Sequence, residues 1–419
     1  MKTSLNMLKD KENIITMKIL QLCSKVPFPP QDGGCIAMNN ITQGLINEGH
    51  SVKVIAMNTK KHHIDIKNIP SNYRSTTNIE SVNINTEIKI IAAFLNLFTN
   101  KSYNIERFRS KNFEQKLIDV LLSENFDIIQ IEGLYVSMYT KIIRKYSTAK
   151  IIFRAHNVEY LLWEQLMQIE SNYFKKVYLK LLSIRLKKYE LSCLQNFDAI
   201  ATITKKDELQ FKKDGFINKI ETFPFGIDLN FSVPNLPIEQ EYPSLFHLGA
   251  MDWKPNTEGV SWFLNHVWIL LQKKHPSLKL YLAGRKMSDE MKKITTANVI
   301  VVGEIENSQL FMQSKGIMIV PLLSGGGMRV KIIEGMALGK TIITTSIGAE
   351  GIDCESNKNC IIANEPIEFA EAISKCISDK IFYSEIGINA KKLAILHYNN
   401  ADICKRLVGF YKKLINQNT

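Results

Sequence analysis

Three places in this 419-residue chain gather side chains able to do chemistry. The densest is Val320 to Gly351, VPLLSGGGMRVKIIEGMALGKTIITTSIGAEG. An apolar run enters Ser324-Gly325-Gly326-Gly327 and leads into a stretch of helical spacing that carries Arg329, Lys331 and Glu334. Glycines leave backbone N–H groups free to surround an anion, and a helix N-terminus adds partial positive charge. Two cations there are unfavourable unless an anion compensates them, so the cluster predicts an anion site rather than a solvated charged face. Glu334, a turn further on, is spaced to accept two hydroxyl hydrogen bonds, as from a ribose. The second place is Asp32-Gly33-Gly34, in a loop rich in Pro and Gly. It reads either as a plain turn or as a loop through which the backbone approaches a ligand. It is not the dinucleotide fingerprint: G-x-G-x-x-G is absent, and Asn58 rather than an acid ends the next apolar run. The third is His156, between an apolar run and a helical stretch, read either as a site residue or as a helix-capping or core histidine. Asn157 and Asn39 are further polar candidates.

The elements that must position these residues alternate. Lys18–Cys23 reads as a buried strand, 35–47 as a helix with Gly49 at its end, and 51–57 as a second strand. Strands follow at 126–131, 149–154 and 198–203, with one long helical stretch over roughly 159–195. The turn-rich Phe223 to Pro234 predicts a domain junction. Strands recur at 245–249, 278–283, 298–302, 316–320 and 341–345, with a short one at 359–363, and 366–378 and 384–416 read as helical. This alternation predicts two successive α/β domains with parallel sheets. Residues 1–16 match no periodic pattern and are expected to be a disordered extension.

Composition narrows the class. With 45% hydrophobic and 22% charged residues, the chain is neither disordered nor fibrous as a whole. No apolar run approaches the roughly 20 residues of a membrane span; the best, Ile91 to Phe98, is short. The N-terminus lacks the marks of a secretory signal. Seven cysteines without CxxC pairs argue against a disulfide framework or a zinc site and fit a reducing cytosol. The net charge of +12 divides into +9 over residues 1–230 and +3 over 231–419. Either an anionic partner or an AT-rich coding bias accounts for the excess. From Lys141 to Glu190, 11 Lys or Arg stand against four Glu, interleaved with Trp163, Tyr173, Phe174, Tyr178 and Tyr189. Such a stretch suits either an anionic membrane surface or an ordinary solvated face. No nucleic-acid motif is present.

The GGGMRVKIIEGMALGKTIITTSIGAEGI stretch resembles the donor-site signature of GT-B glycosyltransferases of family 4. MKILQLCSKVPFPPQDGG resembles the family's first strand and glycine loop, FRAHNVE its histidine segment, HLGAMDWKPNTEGVSWF the opening of its second domain, YLAGRK the following strand and VVGEIEN the base-holding loop. The resemblance extends over nearly the whole chain. It implies the GT-B fold: two facing Rossmann-like domains with an interdomain cleft, 17–226 on the acceptor side and 227–396 binding the nucleotide sugar, with a C-terminal helix (about 397–419) packing back. It implies transfer of a sugar with retention at the anomeric carbon from a nucleotide-diphosphate sugar to a saccharide or lipid-linked acceptor. No metal or other cofactor is expected. The setting it suggests is cytoplasmic assembly of cell-surface polysaccharide or glycoconjugate, with contact at the inner face of the membrane.

Carried over by residue, Glu334 matches the second glutamate of the family's E-x7-E motif, while Gly326 stands in place of the first. The stretch from Gly249 to Asn256 lacks the arginine that many members place there. Arg329 and Lys331 are therefore expected to supply the charge that stabilises the leaving diphosphate, with Lys254 a weaker candidate. His156 is expected to face the donor sugar. Gly33, Gly34, Gly325, Gly326, Gly327 and Met328 are expected to line the donor site, and Glu304 to lie where the base is held. Trp253 reads either as a ligand-stacking or as a buried aromatic. A non-catalytic GT-B partner protein and a nucleotide-sugar epimerase share the pattern and stand as alternatives; a sugar phosphorylase would need a pyridoxal-phosphate lysine.

Overall fold

The computed structural model describes residues 16–30, 32–229 and 238–416. Almost all of the expected extension 1–16, and the last residues of the expected junction, lie outside the described residues. Those described fall into two compact units. The first lies within Met1–Thr202, Asp207–Phe223 and Cys404–Thr419, the second within Ile203–Lys206 and Pro224–Ile403.

In the first unit β1 (Lys18–Cys23), β2 (Ser51–Thr59), β3 (Glu80–Ile84), β4 (Ile128–Glu132), β5 (Lys150–Ala155), β6 (Ala199–Thr202) and β7 (Lys219–Thr222) form a sheet in the order β3-β2-β1-β4-β5-β6-β7. Every pairing is parallel. In the second unit β8 (Glu241–Leu248), β9 (Lys279–Ala283), β10 (Val299–Gly303), β11 (Lys315–Val320), β12 (Ile342–Thr344) and β13 (Ile361–Ile362) form the parallel sheet β10-β9-β8-β11-β12-β13. The fold is thus α/β with two parallel sheets. Central strands such as β4 and β11 are buried over almost their whole length because both faces of a parallel sheet are covered. Strands β3 and β7 are the sheet's edges and only partly buried. Their polar sequences, ESVNI and KIET, gave no signal of a strand.

Two helical expectations are corrected. The stretch 159–195 is two α-helices, Glu159–Ile169 and Tyr173–Cys193, separated at Glu170-Ser171-Asn172. Asn172 breaks the run by capping: its Oδ1 accepts from Lys175 N–H at 3.0 Å. The stretch 384–416 is likewise two helices, Lys380–His397 and Asn400–Ile415. The buried Tyr398 and the Asn399 side chain, accepting from Ala401 N–H at 3.2 Å, occupy the turn. Within the first unit, the last helix places Tyr411 against the Gln130 side chain in the interior. All seven cysteines are free thiols and six are buried.

A buried carboxylate sets the start of helix Glu159–Ile169. Glu190, fully buried, accepts from the N–H groups of Glu159 at 3.1 Å and Tyr160 at 2.9 Å. Burial, reinforced by the neighbouring Glu159 carboxylate and opposed by these two N–H donors, pushes the Glu190 carboxyl up to about 8 from an ordinary 4.5. Glu159, hydrogen-bonded by Tyr135 Oη at 3.0 Å, is raised too, again by burial. A folded carboxyl that keeps its proton above the pH at which the unfolded one ionises weakens folding as pH rises between the two values. The melting temperature of the wild type is therefore expected to fall between about pH 5 and 8. Glu190→Gln is expected to flatten that fall, measured by thermal denaturation across the range; an unchanged slope would refute the assignment.

Candidate functional site

In the second unit, loops at the C-terminal ends of the strands close on one another through backbone. Gly249 N–H donates to Ala283 O at 3.2 Å, Met251 N–H to Arg285 O at 3.0 Å, and Gly284 N–H to Gly303 O at 2.8 Å. A Cβ on Gly284 would lie 1.7 Å from Gly249 O, so no other residue fits between the loops after β8 and β9. Gly259, in the helix Lys254–Trp262, approaches Pro321 O so closely that a Cβ would stand 2.3 Å away. That contact seats the helix directly on the exit of β11.

The glycine loop 324–328 leaves β11 at this edge. Gly325 and Gly327 have φ of +104° and +81°, which favour glycine. A Cβ on Gly325 would meet the Trp253 ring at 2.8 Å. Trp253 is 37% exposed, packed on this loop rather than in the core. Arg329 is the N-cap residue of the helix Val330–Ala337 and is buried, its guanidinium carbon 5.2 Å from the Trp253 ring centre. Nη1 donates to the carbonyls of Gly326 and Gly327. Nε and Nη2 are buried with no hydrogen-bond partner among the described residues. Burial, partly offset by Glu350, pulls the guanidinium down to about 10, so it stays charged at neutral pH. With two loop carbonyls turned toward Arg329, the N–H groups of residues 325–328 donate to no acceptor among the described residues.

Lys331 and Glu334, expected to act on different parts of a ligand, are paired with each other, Nζ to Oε2 at 2.6 Å. Ser308 Oγ lies 3.5 Å from the same ammonium. Glu304 is exposed just beyond β10. Lys254 is 82% exposed and paired with Glu258 at 3.1 Å; Glu258 also accepts from Ser324 Oγ at 3.1 Å. Sequence reasoning passed over Arg285, half-buried after β9, whose guanidinium has no partner among the described residues. Its signal was present in YLAGRK, a cation directly after a strand.

His156, Gly33 and Gly34 belong to the first unit. Asp32 caps the helix Gly33–Asn47, accepting from Cys35 N–H at 2.9 Å and from Lys25 Nζ at 2.6 Å. Burial alone would raise this carboxyl, but Lys25 and the backbone donor hold it down to about 2. A Cβ on Gly34 would lie 3.0 Å from Lys25 Nζ, so glycine leaves room for this ion pair. His156 follows β5, and its Nε2 lies 2.7 Å from Oε2 of Glu132, the last residue of β4. Glu132 is 1% exposed and also accepts from Gln130 and, at 3.3 Å, from Gln21. Thr42 Oγ1 donates to Gln21 Oε1 at 2.6 Å. Parallel register sets Glu132 beside Cys23 and Arg154, which places the histidine's anchor at the C-terminal edge of the sheet. Glu132 was missed because a single acid ending an apolar run carries no spacing signal.

Residues 242–379 match the family described as Glycosyl transferases group 1. The chain is 25% identical over 400 residues to an uncharacterised 44.6 kDa protein in the cps region of Klebsiella pneumoniae, covering 92% of this chain and 97% of that one. Its structure is similar to sucrose-phosphate synthase from Thermosynechococcus elongatus, with a TM-score of 0.71 and 15% identity, covering 96% of this chain and 100% of that one. It is also similar to an Anabaena protein determined with UDP and glucose, with a TM-score of 0.62 and 13% identity over 94% of this chain and 99% of that one. These likenesses establish the fold class as GT-B. The close approach of the loops gives a stability prediction. Gly284→Ala is expected to cost at least about 2 kcal/mol, read as a lowered midpoint of denaturant unfolding; a midpoint like that of the wild type would contradict the packing.

Proposed function

We propose that this protein is a retaining glycosyltransferase that moves a sugar from a nucleotide-diphosphate sugar to a saccharide or lipid-linked acceptor. The observation that carries the reading is the buried Arg329 guanidinium, whose Nε and Nη2 have no partner among the described residues, beside a half-buried glycine loop whose N–H groups donate to no acceptor among them either. Buried donors without acceptors are costly, about 1–3 kcal/mol each, and an anion meets that demand. Cleaving the sugar–phosphate bond leaves extra negative charge on the diphosphate. Fixed donors around that charge are worth about 10²–10³-fold in rate for each one lost. Arg329 offers two N–H groups to phosphate oxygens, the N-terminus of Val330–Ala337 adds its partial charge, and Lys331 acts as a point charge. In this reading those groups do the work that a metal does in other transferases, so the reaction needs none.

Where the resemblance would put a glutamate, the Gly326 carbonyl receives Arg329 Nη1. Glu334, steadied by Lys331, is assigned to the ribose hydroxyls, and Glu304 lies where the base would be held. Arg285 is a further cation for the diphosphate. In the first unit, His156 is assigned to the donor sugar, with Glu132 fixing its ring. The family match and the cps-region relative support a role in the synthesis of cell-surface polysaccharide or glycoconjugate.

The test is thermal stabilisation by UDP, GDP, ADP, CMP and their common sugars. Ligand at about 100 times Kd stabilises by about 2.7 kcal/mol. One nucleotide series is expected to stabilise the wild type and to fail with Glu334→Ala. With the donor so identified, Arg329→Ala or Lys331→Ala is expected to cut turnover at least about tenfold in a folded protein, and EDTA is expected to leave turnover unchanged. If no nucleotide stabilises the wild type, the chain is a non-catalytic partner of another enzyme. If a donor is epimerised without any acceptor, it is an epimerase.

A further inference from the structure

His156 is held through one ring nitrogen only. Nε2 lies 2.7 Å from Oε2 of Glu132, while Nδ1 has no hydrogen-bond partner among the described residues. Which nitrogen carries the proton is set by the bond the other end of the ring makes, so the surroundings of Glu132 decide it.

Glu132 is 1% exposed, and its Oε1 receives the side-chain amides of Gln130 and Gln21. Each glutamine is turned that way by a hydroxyl at its carbonyl. Tyr411 Oη donates to Gln130 Oε1, and Thr42 Oγ1 lies 2.6 Å from Gln21 Oε1. An amide whose oxygen is taken by a hydroxyl presents N–H at its other end. All four of these residues are fully buried, so bulk water does not compete to turn the amides. Arg154, also buried and beside Glu132 in the register of β4 and β5, supplies a counter-charge. An ionised carboxylate only accepts. The hydrogen of the 2.7 Å contact therefore sits on Nε2, and in the neutral ring Nδ1 keeps its lone pair. The far end of this chain of bonds, Tyr411, lies in the last helix, Asn400–Ile415, 281 positions from Gln130.

We propose that Gln130 and Tyr411 are positioning residues: they hold Glu132 so that His156 stays in its Nε2–H form, and Nδ1 accepts a hydrogen bond from a hydroxyl of the donor sugar. This rests on the assignment of His156 to that sugar. It adds which atom meets the sugar and what the sugar must offer there. A hydroxyl can donate to Nδ1; an ether or carbonyl oxygen in its place has no hydrogen to give and is rejected.

The test reads the ring nitrogens directly, by long-range ¹H–¹⁵N correlation in the full chain labelled with ¹⁵N-histidine. It is done at about pH 8, above the ordinary imidazole range. The His156 signals are those lost in His156→Asn. The wild type is expected to show a proton on Nε2 and none on Nδ1. In Glu132→Gln the new amide oxygen stays with the N–H groups of Gln130 and Gln21, so its NH₂ faces His156. That variant is expected to move the proton to Nδ1 and to lower kcat/KM at least about tenfold. Tyr411→Phe removes one hydroxyl and keeps the ring. It is expected to free the Gln130 amide to turn, to mix the two ring forms, and to lower kcat/KM about threefold to tenfold, the worth of one hydrogen bond. A protonated Nδ1 in the wild type, an unmoved proton in Glu132→Gln, or a Tyr411→Phe protein with wild-type spectrum and rate would overturn the proposal. The spectra need no substrate. Expected ring forms in a chain that transfers no sugar would support the positioning role and overturn the transferase reading.

Discussion

Parallel pairing brings the C-terminal end of every strand to one edge of its sheet, and each unit of this protein is organised by that constraint. In the second unit it gathers the loops after β8, β9 and β11, which are then pressed together by backbone contact at Gly249, Gly284 and Gly259. In the first it sets Glu132 at the end of β4, between the ends of β1 and β5, where it can hold His156. Within each unit, the side chains gathered at that edge come from segments far apart in the chain and lie near one another because the strands run the same way.

On that edge the balance of charge is unusual. A guanidinium is buried at a helix N-terminus, where its charge is least welcome, and its Nε and Nη2 meet no acceptor among the described residues. Two carbonyls of the glycine loop stabilise it, and glycine conformations at 325 and 327 let them turn inward. The same turn leaves the loop's N–H groups without acceptors among the described residues. One local arrangement thus fixes the cation and frees the donors. Lys331 and Glu334 form an ion pair at 2.6 Å one turn further on.

The first unit has a different polar interior. Gln21, Thr42, Glu132 and Gln130 form a connected buried network that ends at His156 on one side and at Tyr411 of the last helix on the other. A fully connected network of this kind rigidifies what it holds. Glu190 does comparable work for the start of helix Glu159–Ile169, at the cost of keeping a proton near neutral pH.

The sequence by itself determined the alternation of apolar runs and helical stretches, the α/β class, most strand positions, and the concentration of glycines and cations between Ser324 and Glu334. These are local patterns, and periodicity and composition record them directly. The edge strands β3 and β7 were not legible, because a partly covered strand needs few apolar residues. The breaks at Asn172 and Tyr398 were hidden inside long apolar periodicity, where a single capping side chain decides. The tertiary structure alone decided that Arg329 is buried with two nitrogens that meet no acceptor among the described residues, that Lys331 and Glu334 meet, and that Glu132 anchors His156. Each depends on which distant segments lie alongside, and burial and pairing across a fold are set by that packing rather than by the identity of neighbours in the chain.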